Sequence, residues 1–247
     1  MLRVGVVVPP SNPTAEPEVA ACLAGAAVSY GARLPVLHGL DLRDRLAGYN
    51  THLAATIATV AGLEPAAVLV GCTGSSYALG PAADGALYGG LSDRFGFPVT
   101  GAAGAIRSVL QALDAARIAV VSPYPAWLTE QSAQYWTACG LTVAAVYSVT
   151  GHAGIYQTTP AAMAAAVAAA LADTRRHRVD AVVVTGTGAP SLAALDAAAP
   201  DADVPLLSSN LCGALTLLQR AGPAHPEAAP PALTRLVHHL QRREPVR

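Results

Sequence analysis

The chain of 247 residues has little charge and few aromatic side chains. Charged residues make up 13% of it and aromatic residues 5%, and the formal net charge at pH 7 is −1. A surface so nearly neutral has no general attraction for phosphates, so we expect no nucleic-acid partner. The hydrophobic share of 53% provides enough apolar surface to offset the entropy lost on ordering, which excludes disorder over most of the chain.

Signals for membranes, export and metals are also missing. No run reaches the ~18 consecutive apolar residues of a spanning helix, and the first residues, MLRVGVVVPPSN, lack the basic region and cleavage site of a signal peptide. The four cysteines, Cys22, Cys72, Cys139 and Cys212, form no CxxC pair. We therefore expect no membrane partner, no metal, and a cytoplasmic location with reduced thiols.

The common catalytic and nucleotide-binding motifs do not occur either. The sequence contains no GxSxG, HExxH or GxxxxGK[ST] motif, and no GxGxxG after a strand. The motif set therefore predicts neither a serine hydrolase of the nucleophile-elbow type, nor a zinc protease, nor a nucleotide-binding protein.

An internal repeat is the most informative feature that is present. RVGVVVPP at residues 3–10 resembles RIAVVSPY at residues 117–124, and AVLVGCTGSS at 67–76 resembles AVVVTGTGAP at 181–190. Both pairs are separated by 114 residues. Because two coincidences at one offset are rare, the repeat predicts two similar halves, each the size of a small domain.

Each half alternates β-branched runs with alanine-rich segments of helical character. This pattern is typical of α/β proteins with parallel sheets covered on both faces. The predicted strands are Val4–Val8, Val28–Leu34, Val68–Gly71 and Val99–Gly101, then Ile118–Ser122, Thr142–Ser148, Ala181–Thr185 and Leu206–Ser208. The predicted helices include Thr51–Leu63, Gly104–Leu113, Leu128–Cys139 and Ala161–Asp173.

The halves are predicted to span 1–114 and 115–222. Residues 223–247 are different, with a Pro/Ala-rich linker followed by LTRLVHHLQRR. We expect this tail to form a surface helix, with packing on the first half as one option.

Ligands of open parallel sheets bind beyond the carboxyl ends of the strands. Pro10, Ser11 and Asn12 follow the first strand, and Tyr124 follows its counterpart in the second half. The loops after the third strand of each half begin at Cys72 and at Gly186. If the halves face each other, these four loops converge on one cleft.

The segment Thr73-Gly74-Ser75-Ser76 opens a helix and could hold an anion through its backbone N–H groups and hydroxyls. Thr187 and Gly188 offer similar groups in the second half. We expect a substrate carboxylate between these loops and a lowered pKa for the Cys72 thiol at the helix N-terminus.

Other polar residues are weaker candidates. His152 follows a second-half strand and could face the cleft, whereas the remaining histidines are scattered. Asp41 and Asp44 are predicted to form a solvated loop or a helix start rather than a general base.

These segments resemble the aspartate/glutamate racemase superfamily, in particular its maleate isomerase and arylmalonate decarboxylase branch. The resemblance is carried by VGVVVPPSNPTAEPE, VLVGCTGSS, VVSPYPAWLTEQ, VVVTGTGAPSLAAL and VPLLSSNLCGALTLLQRAG, whose order covers the chain to about Gly222. It implies two pseudo-symmetric flavodoxin-like halves, with a site at their interface that uses no cofactor.

Racemases and maleate isomerases of this superfamily carry one cysteine on each half. Matching by motif places the first at Cys72, but the second position is Gly186. Arylmalonate decarboxylases also have a single cysteine, on the other half. The loss of one thiol disfavours two-base racemisation, because one face of the carbanion has no proton donor.

We therefore expect a cofactor-independent enzyme acting on a small carboxylic or dicarboxylic acid. The leading hypothesis is decarboxylation of a malonate-type acid with protonation by Cys72. The alternatives are maleate-type cis–trans isomerisation with Cys72 as a covalent nucleophile, a related isomerase or lyase reaction on an unsaturated acid, and a non-catalytic dicarboxylate-binding protein. We expect a small carboxylate as partner, with a homo-oligomer possible. The candidate catalytic residues are Cys72 and Tyr124, and the candidate substrate-binding residues are Pro10, Ser11, Asn12, Thr73, Gly74, Ser75, Ser76, His152, Gly186, Thr187 and Gly188.

Overall fold

Two sheets of four parallel strands form the frame of the computed structural model, which describes residues 2–23, 25–151, 153–221 and 229–242. The strands are β1 (Leu2–Val8), β2 (Ala27–Arg33), β3 (Val68–Val70) and β4 (Val99–Gly101), then β5 (Arg117–Ser122), β6 (Thr142–Ser148), β7 (Ala181–Val184) and β8 (Leu206–Ser208). Their orders, β2-β1-β3-β4 and β6-β5-β7-β8, are the same in both halves. The predicted α/β fold with two similar halves is confirmed.

The central strands are apolar because both of their faces are covered. Every residue of β3 and β7 is buried, and so are Val4, Val6 and Val8 of β1. The edge strands β2 and β6 are partly exposed. The carboxyl ends of the central strands therefore become the fixed points from which the loops of the site extend.

Helices cover both sheets. They are α1 (Ala15–Leu23), α2 (Leu42–Ala61), α3 (Gly74–Tyr77), α4 (Gly80–Phe95), α5 (Ala102–Ala112), α6 (Ala126–Ala138), α7 (Pro160–Ala172), α8 (Thr174–His177), α9 (Leu192–Ala198), α10 (Ser209–Ala221) and α11 (Pro231–Gln241), with 3₁₀ turns at Ile155–Gln157 and Ala199–Asp201. Helices α5, α6 and α7 match predicted helices to within two residues at each end. Helix α2 ends within two residues of its prediction but begins nine residues before Thr51.

The early start of α2 has a clear local cause. Asp41 is the N-cap residue, and its side chain accepts a hydrogen bond of 2.9 Å from the backbone N–H of Asp44. Such a cap satisfies one of the free N–H groups of the first turn. Asp41 and Asp44 therefore belong to a helix start, one of the two expected roles, and the first turns of α2 lie beside the site.

The halves are joined by helices that pack across their boundary. The last core helix, α10, packs against α1, α5 and β3 of the first half. A Cβ atom at Gly213 would lie 2.5 Å from Cδ2 of Leu69, so only glycine allows this close approach. Helices α3 and α4 of the first half pack against α6 of the second.

The tail helix α11 packs against α9 and the 3₁₀ turn after it, both of which belong to the second half. The optional packing on the first half is therefore not what the structure shows. Among the described residues, no helix has the length and apolar character needed to cross a membrane.

Candidate active site

A cavity of about 620 Å³ lies between the two halves. The first half contributes the loops after β1, β2 and β3 together with α2, and the second half contributes the loops after β5, β6 and β7 with the start of α6. The predicted convergence of four loops is therefore what the structure shows. Of the candidates, the cavity is lined by Pro10, Ser11, Asn12, Cys72, Thr73, Gly74, Tyr124, Thr187 and Gly188.

Cys72 follows β3 and presents its sulfur to this cavity, although only 4% of the residue is exposed. The Ser75 hydroxyl donates a hydrogen bond of 2.9 Å to the carbonyl oxygen of Cys72, which fixes the turn. Burial raises the pKa of the Cys72 thiol, whereas the nearby hydroxyl and N–H of Ser75 act in the opposite direction.

The expected lowering of this pKa is therefore wrong. The prediction assumed an open helix N-terminus of ordinary length, but α3 has only four residues and is followed by Gly80 with a φ of +74°. A short helix has a weak dipole. Burial removes hydration from the thiolate, and this loss is the largest cause of the raised pKa.

Five tyrosines surround the sulfur: Tyr49, Tyr77, Tyr88, Tyr124 and Tyr156. Burial is the main cause that raises the pKa of each phenol, so all five remain protonated hydrogen-bond donors at neutral pH. The Tyr124 hydroxyl is buried without a hydrogen-bond partner among the described residues. The hydroxyls of Thr73 and Tyr77 lie near it, and an unpaired buried hydroxyl is costly.

Asn12 and Thr187 connect the two halves at the floor of the cavity. Oδ1 of Asn12 accepts hydrogen bonds from the backbone N–H groups of Thr14 and Ala15, at 2.9 and 3.0 Å, and so caps α1. Its Nδ2 donates to the Thr187 hydroxyl at 3.1 Å, and that hydroxyl donates to the carbonyl of Gly71 at 2.7 Å. The Thr187 hydroxyl is therefore already used, which contradicts its expected role as an oxyanion donor. Asn12 keeps one amide hydrogen for a ligand.

The hydroxyls of the other three predicted residues of the first-half loop point to protein groups rather than to the cavity. Thr73 lines the cavity, but its hydroxyl donates to the Ser209 hydroxyl at 2.9 Å. Ser75 and Ser76 do not line the cavity: Ser75 hydrogen-bonds the Cys72 turn, and Ser76 is buried behind it, beside Asp84. Their predicted contact with substrate is wrong, because the chain turns both side chains into the first half.

Arg33 holds the loop after β1 in place. Its guanidinium donates to the carbonyl oxygens of Pro10 and Asn12, at 2.9 and 3.1 Å, and forms an ion pair with Glu16. Three contacts on one planar group fix the position of this loop.

Gly186 does not line the cavity, contrary to its place among the predicted ligand contacts. Its φ is +89°, and a Cβ atom there would lie 2.8 Å from Cδ1 of Ile155 and 2.9 Å from Cγ of Pro123. At Gly188, a Cβ atom would lie 2.4 Å from Cε1 of Tyr156. The 3₁₀ turn of residues 155–157 therefore covers the glycine loop of the second half.

Arg45 is a site residue that sequence reasoning missed. It lies in the first turn of α2, lines the cavity, and its Nε is buried without a hydrogen-bond partner among the described residues. It is the single charged side chain among the described lining residues. The capping pair Asp41 and Asp44 was the signal that could have placed it on a helix beside the cleft.

The remaining candidates are His152, a possible metal site and the other cysteines. His152 lies outside the described residues. Among the residues that the structure describes, no group of three or more potential metal ligands occurs. The four cysteines are free, and Cys22 and Cys212 are buried away from the cavity.

A family model described as arylmalonate decarboxylase matches residues 4–236 of the chain. The maleate isomerase of Nocardia farcinica is 28% identical over 228 residues, which is 88% of this chain and 89% of that protein.

Solved structures agree with both comparisons. A cysteine-to-serine variant of the N. farcinica maleate cis–trans isomerase, with a covalently bound succinylcysteine intermediate, has a TM-score of 0.79 and 27% identity, covering 94% of this chain and 98% of that one. Maleate isomerase from Pseudomonas putida S16, as a cysteine-to-alanine variant with maleate, has a TM-score of 0.81 at 21% identity, covering 94% and 97%. An arylmalonate decarboxylase has a TM-score of 0.71 at 21% identity, covering 90% and 93%. The last two likenesses concern the fold alone.

Proposed function

The chain belongs to the arylmalonate decarboxylase family, within the Asp/Glu racemase superfamily, and on that premise we propose that it is a cis–trans isomerase of a small unsaturated acid of the maleate kind. Enzymes of this group are lyases and isomerases. This proposal prefers the alternative from the sequence over the leading hypothesis, because a relative of comparable length is named a maleate isomerase.

The observation that carries the proposal is a thiol on the wall of an interdomain cavity. Cys72 lies at the carboxyl end of a central strand, where family likeness places the nucleophile. The related structure with a succinylcysteine intermediate shows that a cysteine of that protein bonds to a four-carbon acid. We assign the same role to Cys72 in this chain.

The proposed reaction is an addition followed by an elimination. The Cys72 thiolate bonds to one alkene carbon, and the π electrons move onto the neighbouring carboxylate as an enediolate. The former double bond is then single and rotates. When the enediolate re-forms the double bond, it expels the thiolate and leaves the trans acid, with no oxidant and no net proton consumed.

One thiol is sufficient for this sequence of steps. Rotation requires only that the double bond is temporarily lost, and the enediolate itself meets that requirement. The related isomerase in the covalent structure has one cysteine replaced by serine and still carries the adduct. The glycine at position 186 is therefore compatible with the addition step, although it removes a second proton donor.

The remaining lining residues suit an anionic intermediate. Arg45 supplies a cation and Asn12 one free amide hydrogen for a substrate carboxylate. The neutral Tyr124 phenol, buried and unpaired, is placed to donate to the enediolate, and such preorganised donors stabilise developing charge by roughly 3–4 kcal/mol each.

Proton NMR with maleate tests the proposal. We expect fumarate signals to appear with the wild-type protein and to be absent with both Cys72→Ala and Cys72→Ser, because a hydroxyl is a far weaker nucleophile than a thiolate. Cys139→Ser is the matched control, since Cys139 lies outside the cavity. Fumarate formation by Cys72→Ala would refute the mechanism.

Decarboxylation is the second candidate, and one observation favours it. Burial raises the pKa of Cys72, which favours the neutral thiol, the form that protonates a carbanion. Incubation with a phenylmalonate in D2O would then release CO2 and place one deuterium on the α-carbon. Under this reaction Cys72→Ser keeps part of its activity, whereas under isomerisation it does not.

A further inference from the structure

The proposed addition needs the thiolate of Cys72, and no base that could take the proton of the thiol lies among the described lining residues. The described lining residues include no carboxylate and no imidazole. Burial moreover favours the protonated thiol at Cys72. The proton must therefore leave through the protein or through the open side of the cavity.

Asp84 is a buried carboxyl group behind the nucleophile. It lies on α4 and is 1% exposed. Its Oδ2 accepts a hydrogen bond of 2.9 Å from the Tyr135 hydroxyl of α6, while its Oδ1 is buried with no aligned hydrogen-bond partner among the described residues. An isolated buried carboxylate is costly, so a half-satisfied one calls for a reason.

Hydroxyl groups lie between this carboxyl group and the sulfur. Ser76 lies beside both Asp84 and Tyr88, and Ser75 lies beside both Tyr88 and Cys72. The hydroxyls of Ser76 and Tyr88 are buried and have no aligned hydrogen-bond partner among the described residues.

The Tyr88 ring is held in this position by the end of β4. A Cβ atom at Gly101 would lie 2.4 Å from Cε2 and 2.8 Å from the hydroxyl oxygen of Tyr88, so the ring lies directly on the glycine.

We propose that Asp84 stores the proton of Cys72, which reaches it through the hydroxyls of Ser75, Tyr88 and Ser76. The S–H bond of Cys72 breaks and an O–H bond on Oδ1 of Asp84 forms, while each hydroxyl accepts one proton and passes on its own. Ser75 turns from the Cys72 carbonyl toward the sulfur during the transfer. This proposal rests on the proposed function, because it supplies the thiolate that the addition consumes.

The charge balance favours this arrangement over release of the proton to water. With Asp84 ionised, direct ionisation of the thiol would place two negative charges in one buried region, whereas transfer keeps a single charge. Burial raises the pKa of Asp84, which strengthens it as a proton acceptor, while Ser76, Tyr135 and Arg107 act in the opposite direction and favour the carboxylate. Tyr88 and Cys139 also face this group.

The transfer has a signature that does not depend on turnover. The form with a thiolate and a protonated Asp84 holds as many protons as the form with a thiol and a carboxylate. Its population is therefore independent of pH wherever Asp84 is ionised and Cys72 is not. A thiol that releases its proton to water instead loses thiolate tenfold per pH unit.

The test is the rate at which iodoacetamide alkylates Cys72 in the full chain, followed by peptide mass spectrometry. Between pH 7.5 and pH 6 we expect the wild-type rate to fall by less than about threefold and the Asp84→Asn rate by about thirtyfold. Tyr135→Phe is the matched control, because it removes the hydrogen bond to Oδ2 but keeps the carboxyl group. The pH dependence of its alkylation rate should follow that of the wild type.

Asp84→Ser removes the carboxyl group with a smaller side chain, and should give the thirtyfold fall even if Asp84→Asn does not fold. Tyr88→Phe keeps both titrating groups, so its equilibrium pH profile should stay as flat as that of the wild type. A thirtyfold fall in the wild type, or a flat profile in a folded Asp84 variant, would overturn the proposal. If the flat profile is found but maleate is not isomerised, the proton store stands and the proposed reaction is what fails.

Discussion

The two halves share a strand order, but the loops after their third strands have different chemistry. The loop after β3 carries Cys72 with a normal backbone, whereas the loop after β7 has Gly186 in the left-handed region, at a φ of +89°. Ile155 and Pro123 occupy the space that a side chain at 186 would need. The second half therefore lacks both a thiol and a backbone suited to one, and the asymmetry is built into the fold.

This difference teaches that a duplicated scaffold can keep its cleft while concentrating the reaction on one side. The first half supplies the thiol, the cation Arg45 and the α1 cap at Asn12. The second half supplies Tyr124 and a cover of Ile155 and Tyr156 over its glycine loop. If this division is correct, substitutions in the two halves should have effects of different kinds.

Removal of the first-half thiol should have the largest effect. Cys72→Ala is expected to lower kcat by more than about 10³-fold, because a covalent nucleophile has no substitute among the described lining residues. The free energy of unfolding should change little by comparison, and urea titration would show it. Turnover that survives this substitution would mean that the chemistry does not depend on the first half.

Removal of the second-half phenol should have the next largest effect. Tyr124→Phe is expected to lower kcat by about 10²-fold with a small change in KM, since its hydroxyl donates chiefly to the charge that develops during the reaction. Tyr156→Phe is the comparison, because its ring covers Gly188 whether or not the hydroxyl is present. Equal losses in the two variants would contradict a specific role for Tyr124.

A side chain at the glycine of the second half should strain the loop. Gly186→Cys is expected to cost about 2–4 kcal/mol of unfolding free energy, from the left-handed φ and from overlap with Ile155. We therefore do not expect the single variant to present the added thiol as a second working nucleophile.

The overlap can be separated from the backbone strain by a double-mutant cycle. Gly186→Cys combined with Ile155→Ala should lose at least about 1 kcal/mol less than the sum of the two single variants, because alanine removes the overlapping atom. Exact additivity in urea unfolding would show that Ile155 does not restrict position 186.

Much of the fold could be predicted because its signals are local. The β-branched runs around Val4–Val8 and Ala181–Val184 are continuous, as expected for strands covered on both faces. The repeat at one offset fixed which loops correspond. These two facts, together with the usual position of binding sites in parallel sheets, were enough to predict four of the loops that line the cavity.

The parts of the site that could not be predicted from the sequence depend on tertiary structure. In the segment around Arg45 the sequence favours a loop or a helix start equally, and only the structure shows that Asp41 caps a helix there. The cover by Ile155 and Tyr156 depends on where a 3₁₀ turn lies in space, and no spacing in the sequence reveals it. The pKa of Cys72 was misjudged because burial, unlike helix position, cannot be read along the chain.

The smallest expected effect concerns the contact between the halves. The Thr187 hydroxyl accepts from Asn12 and donates to Gly71, both in the first half, whereas the Thr185 hydroxyl donates at 3.2 Å to Val121 within its own half. Thr187→Val should cost about 2 kcal/mol of unfolding free energy and Thr185→Val about 1 kcal/mol, since valine keeps the shape but leaves two buried groups unpaired in one case and one in the other.

Urea unfolding of the two valine variants measures this difference, and initial rates over a range of substrate concentrations test whether it also affects substrate binding. Because Thr187 also orients the amide of Asn12 at the floor of the cavity, its loss should raise KM, whereas the loss of the Thr185 hydroxyl should not. If both variants lose equal stability and keep the same KM, the hydrogen bonds between the halves contribute no more than those within them. The packing of α10 against α1 and α5, and of α3 and α4 against α6, would then contribute most of what joins the halves.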